Sequence, residues 1–168
     1  MTTGTAYLLV DVAGTGCALP QRAVREILPL PRLWRPPGAP GALAGFLNLA
    51  GSAVPVLDLA VLFGLGRHVT TQQVTAQAAL YRHLVLLHGE APLALLVDRV
   101  ADVVRVEAGQ VRPVDDAATL NGCVAAEIRL GDTLVHGLAI DRILLAEERD
   151  RLAARTWDAQ ARLAEWAA

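Results

Sequence analysis

Four histidines, two cysteines and a few aspartates are the side chains of this 168-residue chain best suited to catalysis or metal binding. His68, His83, His88 and His136 include no pair at a helical ligand spacing, and no Cys-x-x-Cys accompanies them. His83 and His88 bracket one short apolar run. Five positions apart on a regular strand, they point to opposite faces and cannot share a metal. Cys17 and Cys123 sit far apart in apolar contexts and read as two buried, reduced thiols. Asp115 and Asp116 are adjacent, a geometry that seldom converges on one substrate, so a solvated loop or helix start suits them better than acid–base work. Asp58 and Asp98 each follow an apolar run and are placed to cap the next turn. Gly14-Thr15-Gly16 and Gly64-Leu65-Gly66 lack the third glycine of a phosphate-binding loop, and no G-x-S-x-G elbow occurs. With every usual class missing together, the sequence reads as a non-enzymatic chain without cofactor or metal, whose work is binding.

The totals agree. Hydrophobic residues make up 54% and charged residues 19% of the chain, ample for a core and too apolar for disorder. The 15 basic residues, all arginine, nearly cancel the 17 acidic ones, and no charge run suggests a grip on nucleic acid. Residues 1–5 carry no basic or apolar leader, so a cytoplasmic location is expected. The apolar stretch from Gly41 to Gly66 is long enough to span a bilayer. It contains Asn48, Pro55 and Asp58, however, and a carboxylate in a spanning helix costs about 2.5–3.5 kcal/mol. Two buried strands and a short helix are expected there instead, with no membrane insertion.

Short strands must therefore position the binding surface. Tyr7–Val12 and Cys17–Pro20 flank a glycine turn and read as a hairpin. Gln21–Leu28 is a helical turn or a strand approached by one, and Pro31–Pro40, with four prolines, is an irregular crossing. Leu43–Leu49 and Ser52–Leu57 are strands around Gly51. Pro55 makes the second an edge or bulged strand, and Asp58 caps a helix that stops at Gly64. The polar stretch that follows is a seam. Beyond it, Leu84–Leu87 with Leu93–Val97 and Val124–Leu130 with Thr133–Ile140 are hairpins, and Val111–Leu120 is a loop. The halves resemble each other: Val24-Arg25-Glu26-Ile27 matches Ala101-Asp102-Val103-Val104, Gly45 matches Gly122, and Asp58 matches Asp141. This repetition suggests a mainly β protein of two barrel-like lobes, at about 6–66 and 81–145, joined by a linker at 67–80. A C-terminal helix follows at 146–166. Its Leu152, Thr156, Ala159, Leu163 and Trp166 form one face, expected to pack on its own lobe.

Read in order, Val24-Arg25-Glu26-Ile27-Leu28, Gly45-Phe46-Leu47-Asn48-Leu49-Ala50-Gly51, Val54-Pro55-Val56-Leu57-Asp58-Leu59 and Leu95-Leu96-Val97-Asp98-Arg99-Val100 resemble the CheW family of chemotaxis coupling proteins over roughly residues 6–150. The resemblance implies one CheW-like domain built from two intertwined, SH3-like five-stranded β-barrels with short connecting helices. It implies cytoplasmic partners, recruited to membrane receptor arrays: the tip of a chemoreceptor (a methyl-accepting chemotaxis protein) and the regulatory domain of a CheA-type histidine kinase. A receptor groove between the lobes would involve Val24, Glu26 and Gly45. The wider binding set implied is Ile27, Leu47, Asn48, Leu49, Ala50, Gly51, Asp58, Val97, Asp98 and Val100. One departure stands out: the family usually has Arg where this chain has Ala50, a residue that would brace a loop or pair with a partner's carboxylate.

Two other readings have distinct consequences. A CheW-like adaptor of a non-flagellar pathway, such as twitching motility, would keep the architecture and change the partners. A small-ligand sensor using the core cavity would show a thermal shift with its ligand, which a scaffold would not.

Overall fold

Along Leu84-Val85-Leu86-Leu87 every side chain is buried, although successive residues of a strand point to opposite faces. A strand buried on both faces needs apolar material above and below it, and the fold supplies three separate clusters. The computed structural model describes residues 4–65, 81–115, 117 and 122–167, so the expected linker at 67–80 and Asp116 lie outside the described residues. Its elements are β1 (Thr5–Val12), β2 (Thr15–Pro20), β3 (Val24–Pro29), β4 (Leu43–Leu49), β5 (Ser52–Asp58), α1 (Leu59–Leu62), β6 (His83–Leu87), β7 (Ala94–Val97), β8 (Arg99–Val106), β9 (Val111–Pro113), β10 (Val124–Leu130), β11 (Thr133–Leu138) and α2 (Ala146–Ala167). None of the described helices is long and apolar enough to cross a membrane, and the apolar stretch after Gly41 forms β4, β5 and α1.

The strands form a six-stranded sheet in the order β8-β1-β2-β11-β10-β9 and a five-stranded sheet in the order β3-β6-β7-β5-β4. The sheets are not the two halves of the chain. The β1–β2 hairpin joins β8, β9, β10 and β11 from the second half, through antiparallel pairing of β1 with β8 and a parallel contact of β2 with β11. The β6–β7 hairpin joins β3, β4 and β5 from the first half, through a parallel contact of β7 with β5. Each sheet thus takes a hairpin from one half and the rest of its strands from the other, four in the six-stranded sheet and three in the five-stranded one. The lobes are intertwined, and a cut at residues 67–80 separates neither. The six-stranded sheet has one strand beyond the expected five: β9, in the stretch read as a loop.

The swap aligns the repeats residue by residue. Val24 pairs with Leu87, Glu26 with Leu86 and Ile27 with Val85, leaving Arg25 in a bulge. In the other sheet Val100 pairs with Val10, Asp102 with Leu9 and Val103 with Leu8, leaving Ala101 unpaired. Val24 is therefore the structural counterpart of Val100, one residue earlier than the sequence comparison placed it.

Alternation along each strand sorts the side chains among the clusters. Leu84, Leu86, Val54, Val56, Ala94 and Leu96 fill a cluster that also gathers Leu28 of β3 and Leu47 of β4. Because β3 and β4 are opposite edges, the five-stranded sheet must curl around this cluster. Ala18, Ile128, Val106 and Val135 form the counterpart inside the six-stranded sheet, with Val104 of β8 and Val111 of β9 from its two edges. The intervening residues, including Leu8, Val10, Leu19, Val85, Leu87, Leu95 and Val97, meet in a central cluster between the sheets. Burying one such side chain is worth about 1.5–3 kcal/mol, so this double-faced burial is the main stabilising term.

Two tight turns close the first hairpins of the chain alike. Ala13-Gly14 and Ala50-Gly51 have positive φ at both positions (51° and 83°, 51° and 89°), as two-residue hairpin turns require. Asp11 Oδ1 accepts from Gly14 N at 2.9 Å, and Asn48 Oδ1 accepts from Gly51 N at 3.0 Å. Pro55 lies inside the five-stranded sheet rather than at its edge. It is tolerated because β7 first meets β5 at Val56, so no donor is needed there. α2 does not pack on the half it follows. It crosses to β5, with Ala159 buried and Leu152, Thr156 and Leu163 half-buried on the expected face.

Candidate functional site

β3 is the residue set closest to a free binding edge. A 3-10 turn at Gln21–Ala23 leads into it, which resolves the ambiguous segment as a strand approached by a turn. β6 occupies one side of β3, and among the described residues no strand is hydrogen-bonded to the other. Arg25, Glu26 and Ile27 are exposed in succession, with Ile27 at 39%. Val24 turns inward onto the central cluster, as does its counterpart Val100. The surface offered is a bare backbone edge carrying a β-branched residue beside a carboxylate, suited to an extended or helical partner.

The other expected residues fall into two groups. Asn48, Ala50 and Gly51 are exposed at the β4–β5 turn, and Leu49 is half-buried. Gly45, Leu47, Asp58 and Val97 are buried, Val97 at 1% exposure, so they shape the site rather than present themselves to a partner. β3 and the β4–β5 hairpin are opposite edges in hydrogen-bond order, brought towards each other only by the curl of the sheet.

Gly45 has a structural task. Its φ is +148°, and a Cβ built there would stand 2.7 Å from the Trp34 carbonyl oxygen. That oxygen accepts from Phe46 N at 2.7 Å, and Trp34 N donates to Phe46 O at 3.0 Å. The two rings also pack with centroids 5.9 Å apart. The proline-rich crossing is thereby stitched to the outer edge of β4. A bulky charge at Gly45 would tear this seam, so it cannot serve as a fold-neutral probe of a groove.

Asp58 and Asp98 meet at Arg82. Asp58 Oδ1 accepts from Ala60 N at 3.0 Å and Val61 N at 3.4 Å, capping α1 as its position implied. Its Oδ2 lies 3.2 Å from Arg82 Nη2, and Asp98 Oδ1 lies 3.4 Å from Arg82 Nε. Asp98 does not cap the following turn. Its Oδ2 accepts from Ala13 N at 2.6 Å, tying the β7–β8 junction to the β1–β2 turn. One arginine thus links both sheets. Arg82 was not foreseen, because nothing in its local sequence marks it as a partner of carboxylates 24 and 16 residues away.

Electrostatics add no reactive centre. Cys17 is buried, and desolvation, then Asp11, then Cys123 push its thiol up to about 12. Burial also raises the Cys123 thiol. Both are protonated and poor nucleophiles at neutral pH. Among the described residues no three His, Cys, Asp or Glu side chains are placed to hold a metal.

The comparisons with known proteins decide the family. The family model described as CheW-like domain matches residues 6–148. The chain belongs to the CheW-like domain family. Members of that family are scaffolds of chemotaxis and not enzymes. The chain is 28% identical over 153 residues to the chemotaxis protein CheW of Klebsiella aerogenes, covering 88% of this chain and 86% of that protein. The CheW of Rhizobium meliloti is 28% identical over 140 residues, covering 76% and 79%. That of Helicobacter pylori is 26% identical over 128 residues, covering 76% and 73%. The fold is similar to that of the scaffolding protein TtCheW from Thermoanaerobacter tengcongensis, with a TM-score of 0.74 over 88% of this chain and 92% of that one at 17% identity. CheW-like membership accounts for the two curled sheets. Ala50 is a turn residue of left-handed conformation.

Proposed function

We propose that this CheW-like chain is an adaptor that couples chemoreceptor cytoplasmic tips to the regulatory domain of a CheA-type histidine kinase, recruited from the cytoplasm to the receptor array. The observation that carries the reading is the unpaired β3 edge, where Glu26 and the exposed Ile27 stand next to each other on a rigid, doubly buried sheet. A rigid platform loses little entropy on binding, and an exposed apolar residue flanked by charge gives both affinity and orientation. Val24, packed behind the edge, fixes its position, and Val100 does the same for the equivalent strand β8. Asn48, Ala50 and Gly51 form the second exposed element, at the far edge of the same sheet.

The test is capture of a receptor cytoplasmic fragment and of the kinase regulatory domain encoded in the same genome. Ile27→Asp should abolish receptor capture while the circular dichroism spectrum and melting temperature hold. Undiminished capture by that variant would remove β3 from the interface.

A further inference from the structure

The family match ends at residue 148, three residues into α2, so nearly all of this 22-residue helix lies beyond the matched core. Its seat on that core is specific but shallow. β7 meets β5 only from Val56 onwards, which leaves the start of β5 without a neighbour on that side. Gln160 fills the gap: its Oε1 accepts from Ala53 N at 2.8 Å, and its Nε2 donates to Gly51 O at 2.9 Å. Bonds to residues i−1 and i+1 of a strand are those a parallel neighbour makes. The carboxamide therefore stands in for a parallel neighbour opposite Ser52, four residues before the β5–β7 ladder begins at Val56, using a side chain from more than 100 positions away.

Apart from Leu152, which packs against the central cluster, and Arg149, whose Nη2 donates to the Asp141 and Leu144 carbonyls, few contacts hold the helix. Ala159 is its only buried side chain among those described. Arg162 lies over the Trp34 ring at 6.0 Å from its centroid, and Trp34 remains 43% exposed. Open grooves of about 450 Å³ and about 670 Å³ flank the helix, the first bounded by Leu47, Asn48, Ala159 and Leu163. A helix seated with unfilled space on both sides gains little packing energy.

We propose that α2 is a lid: an intramolecular ligand occupying the β4–β5 face, which must swing away before a partner can engage Asn48 and the backbone of the Ala50–Gly51 turn. The proposal rests on the adaptor reading, which places those residues in the binding set. A partner cannot reach Gly51 O and Ala53 N–H while Gln160 holds them, nor enter the groove at Asn48 while Leu163 lines it. The site takes helices by construction, since a helix already sits there. A partner helix carrying Gln beside a small residue, with Leu three positions on, would reproduce the cis contacts. A docked lid reduces the apparent affinity of any competitor by the fraction of molecules in the open state.

The experiment uses the full chain in three forms: wild type, Gln160→Ala and Ala159→Asp. Gln160→Ala deletes both hydrogen bonds without harming helix propensity. Ala159→Asp places a charge in the buried seat and covers the case in which the first change is too mild. Amide exchange at Ser52–Val54 and across 152–163 reports release, and titration with the receptor cytoplasmic fragment and the kinase regulatory domain reports competition. The expected result is faster exchange in both variants, with roughly tenfold tighter binding of at least one partner, the change that losing about two hydrogen bonds to a competing lid would give. Faster exchange with unchanged or weaker binding overturns the lid alone. Unchanged exchange in both variants shows that Gln160 and Ala159 do not hold the helix, and overturns it as well. Absence of binding by all three forms overturns the adaptor reading, and the lid with it.

Discussion

Replacing Gly45 by Ala adds one methyl group where β4 passes under the proline-rich crossing. The cost has two parts. The backbone there is at φ +148°, a region that L-residues rarely adopt, and holding Ala in it costs about 1–3 kcal/mol. The new Cβ would also stand 2.7 Å from the Trp34 carbonyl oxygen, a backbone atom that cannot rotate away. Moving it weakens the pair of bonds between Trp34 and Phe46, at 2.7 and 3.0 Å, each worth about 1 kcal/mol net. The sum is roughly 2–5 kcal/mol, against a typical stability of about 5–15 kcal/mol. A domain of this size loses about 2–4 °C of melting temperature per kcal/mol, so Gly45→Ala should melt roughly 5–15 °C below wild type while remaining folded at 25 °C. Thermal and urea denaturation followed by circular dichroism measure this directly. A melting temperature within about 2 °C of wild type would show that the Gly45 backbone and the Trp34 carbonyl tolerate a Cβ, and would return Gly45 to the set of possible contact residues. Loss of partner binding in more drastic Gly45 variants should be read as damage to the fold.

Asp98→Ala removes the acceptor for Ala13 N and one of the carboxylates at Arg82; urea unfolding should show a loss of about 1–3 kcal/mol, and a loss under about 0.5 kcal/mol would mean that the link between the sheets is idle. Ala50→Gly relieves a left-handed residue at φ 51° and should gain up to about 1 kcal/mol after the added freedom of the unfolded chain is subtracted; a clear loss would show that the turn is not strained at Ala50. Cys17 is raised to about 12 by burial, so its unfolded form releases its proton first as pH rises. The folded state then binds more protons than the unfolded one, and stability, full below about pH 8.5, should fall by up to about 1.4 kcal/mol per pH unit between there and pH 12. Alkaline unfolding of wild type against Cys17→Ala checks this, and identical pH profiles would contradict it.

Much of the fold could be read from the chain because its hairpins are local. The β1–β2, β4–β5, β6–β7 and β10–β11 pairs each span a few residues and carry their own turn glycines, and Asp58 caps α1 where its position said it would. What could not be read is which hairpin joins which sheet. That choice rests on pairings at long sequence separation, antiparallel between β1 and β8 and between β3 and β6, and parallel between β2 and β11 and between β7 and β5. Both alternatives bury the same apolar alternation, so the pattern of residues does not discriminate between them. The same limit applies to the site. The motif containing Gly45, Leu47, Asp58 and Val97 marked important positions, but a sequence motif does not distinguish a residue that touches a partner from one that shapes the platform. Arg82 and Gln160 left no local signal, because their partners lie 16 or more residues away and each acts through a side chain with no neighbouring pattern. The helix face of α2 was visible as a periodicity, yet its destination on β5 was not.

Coupling through β3 is tested most directly by titrating the full chain and its Ile27→Asp variant against a receptor cytoplasmic fragment, with and without the kinase regulatory domain. Wild type should assemble all three proteins into one complex, and Ile27→Asp, equally folded, should leave the receptor behind. Equal assembly by both forms would contradict the adaptor surface on β3, and no assembly by wild type would contradict the adaptor itself.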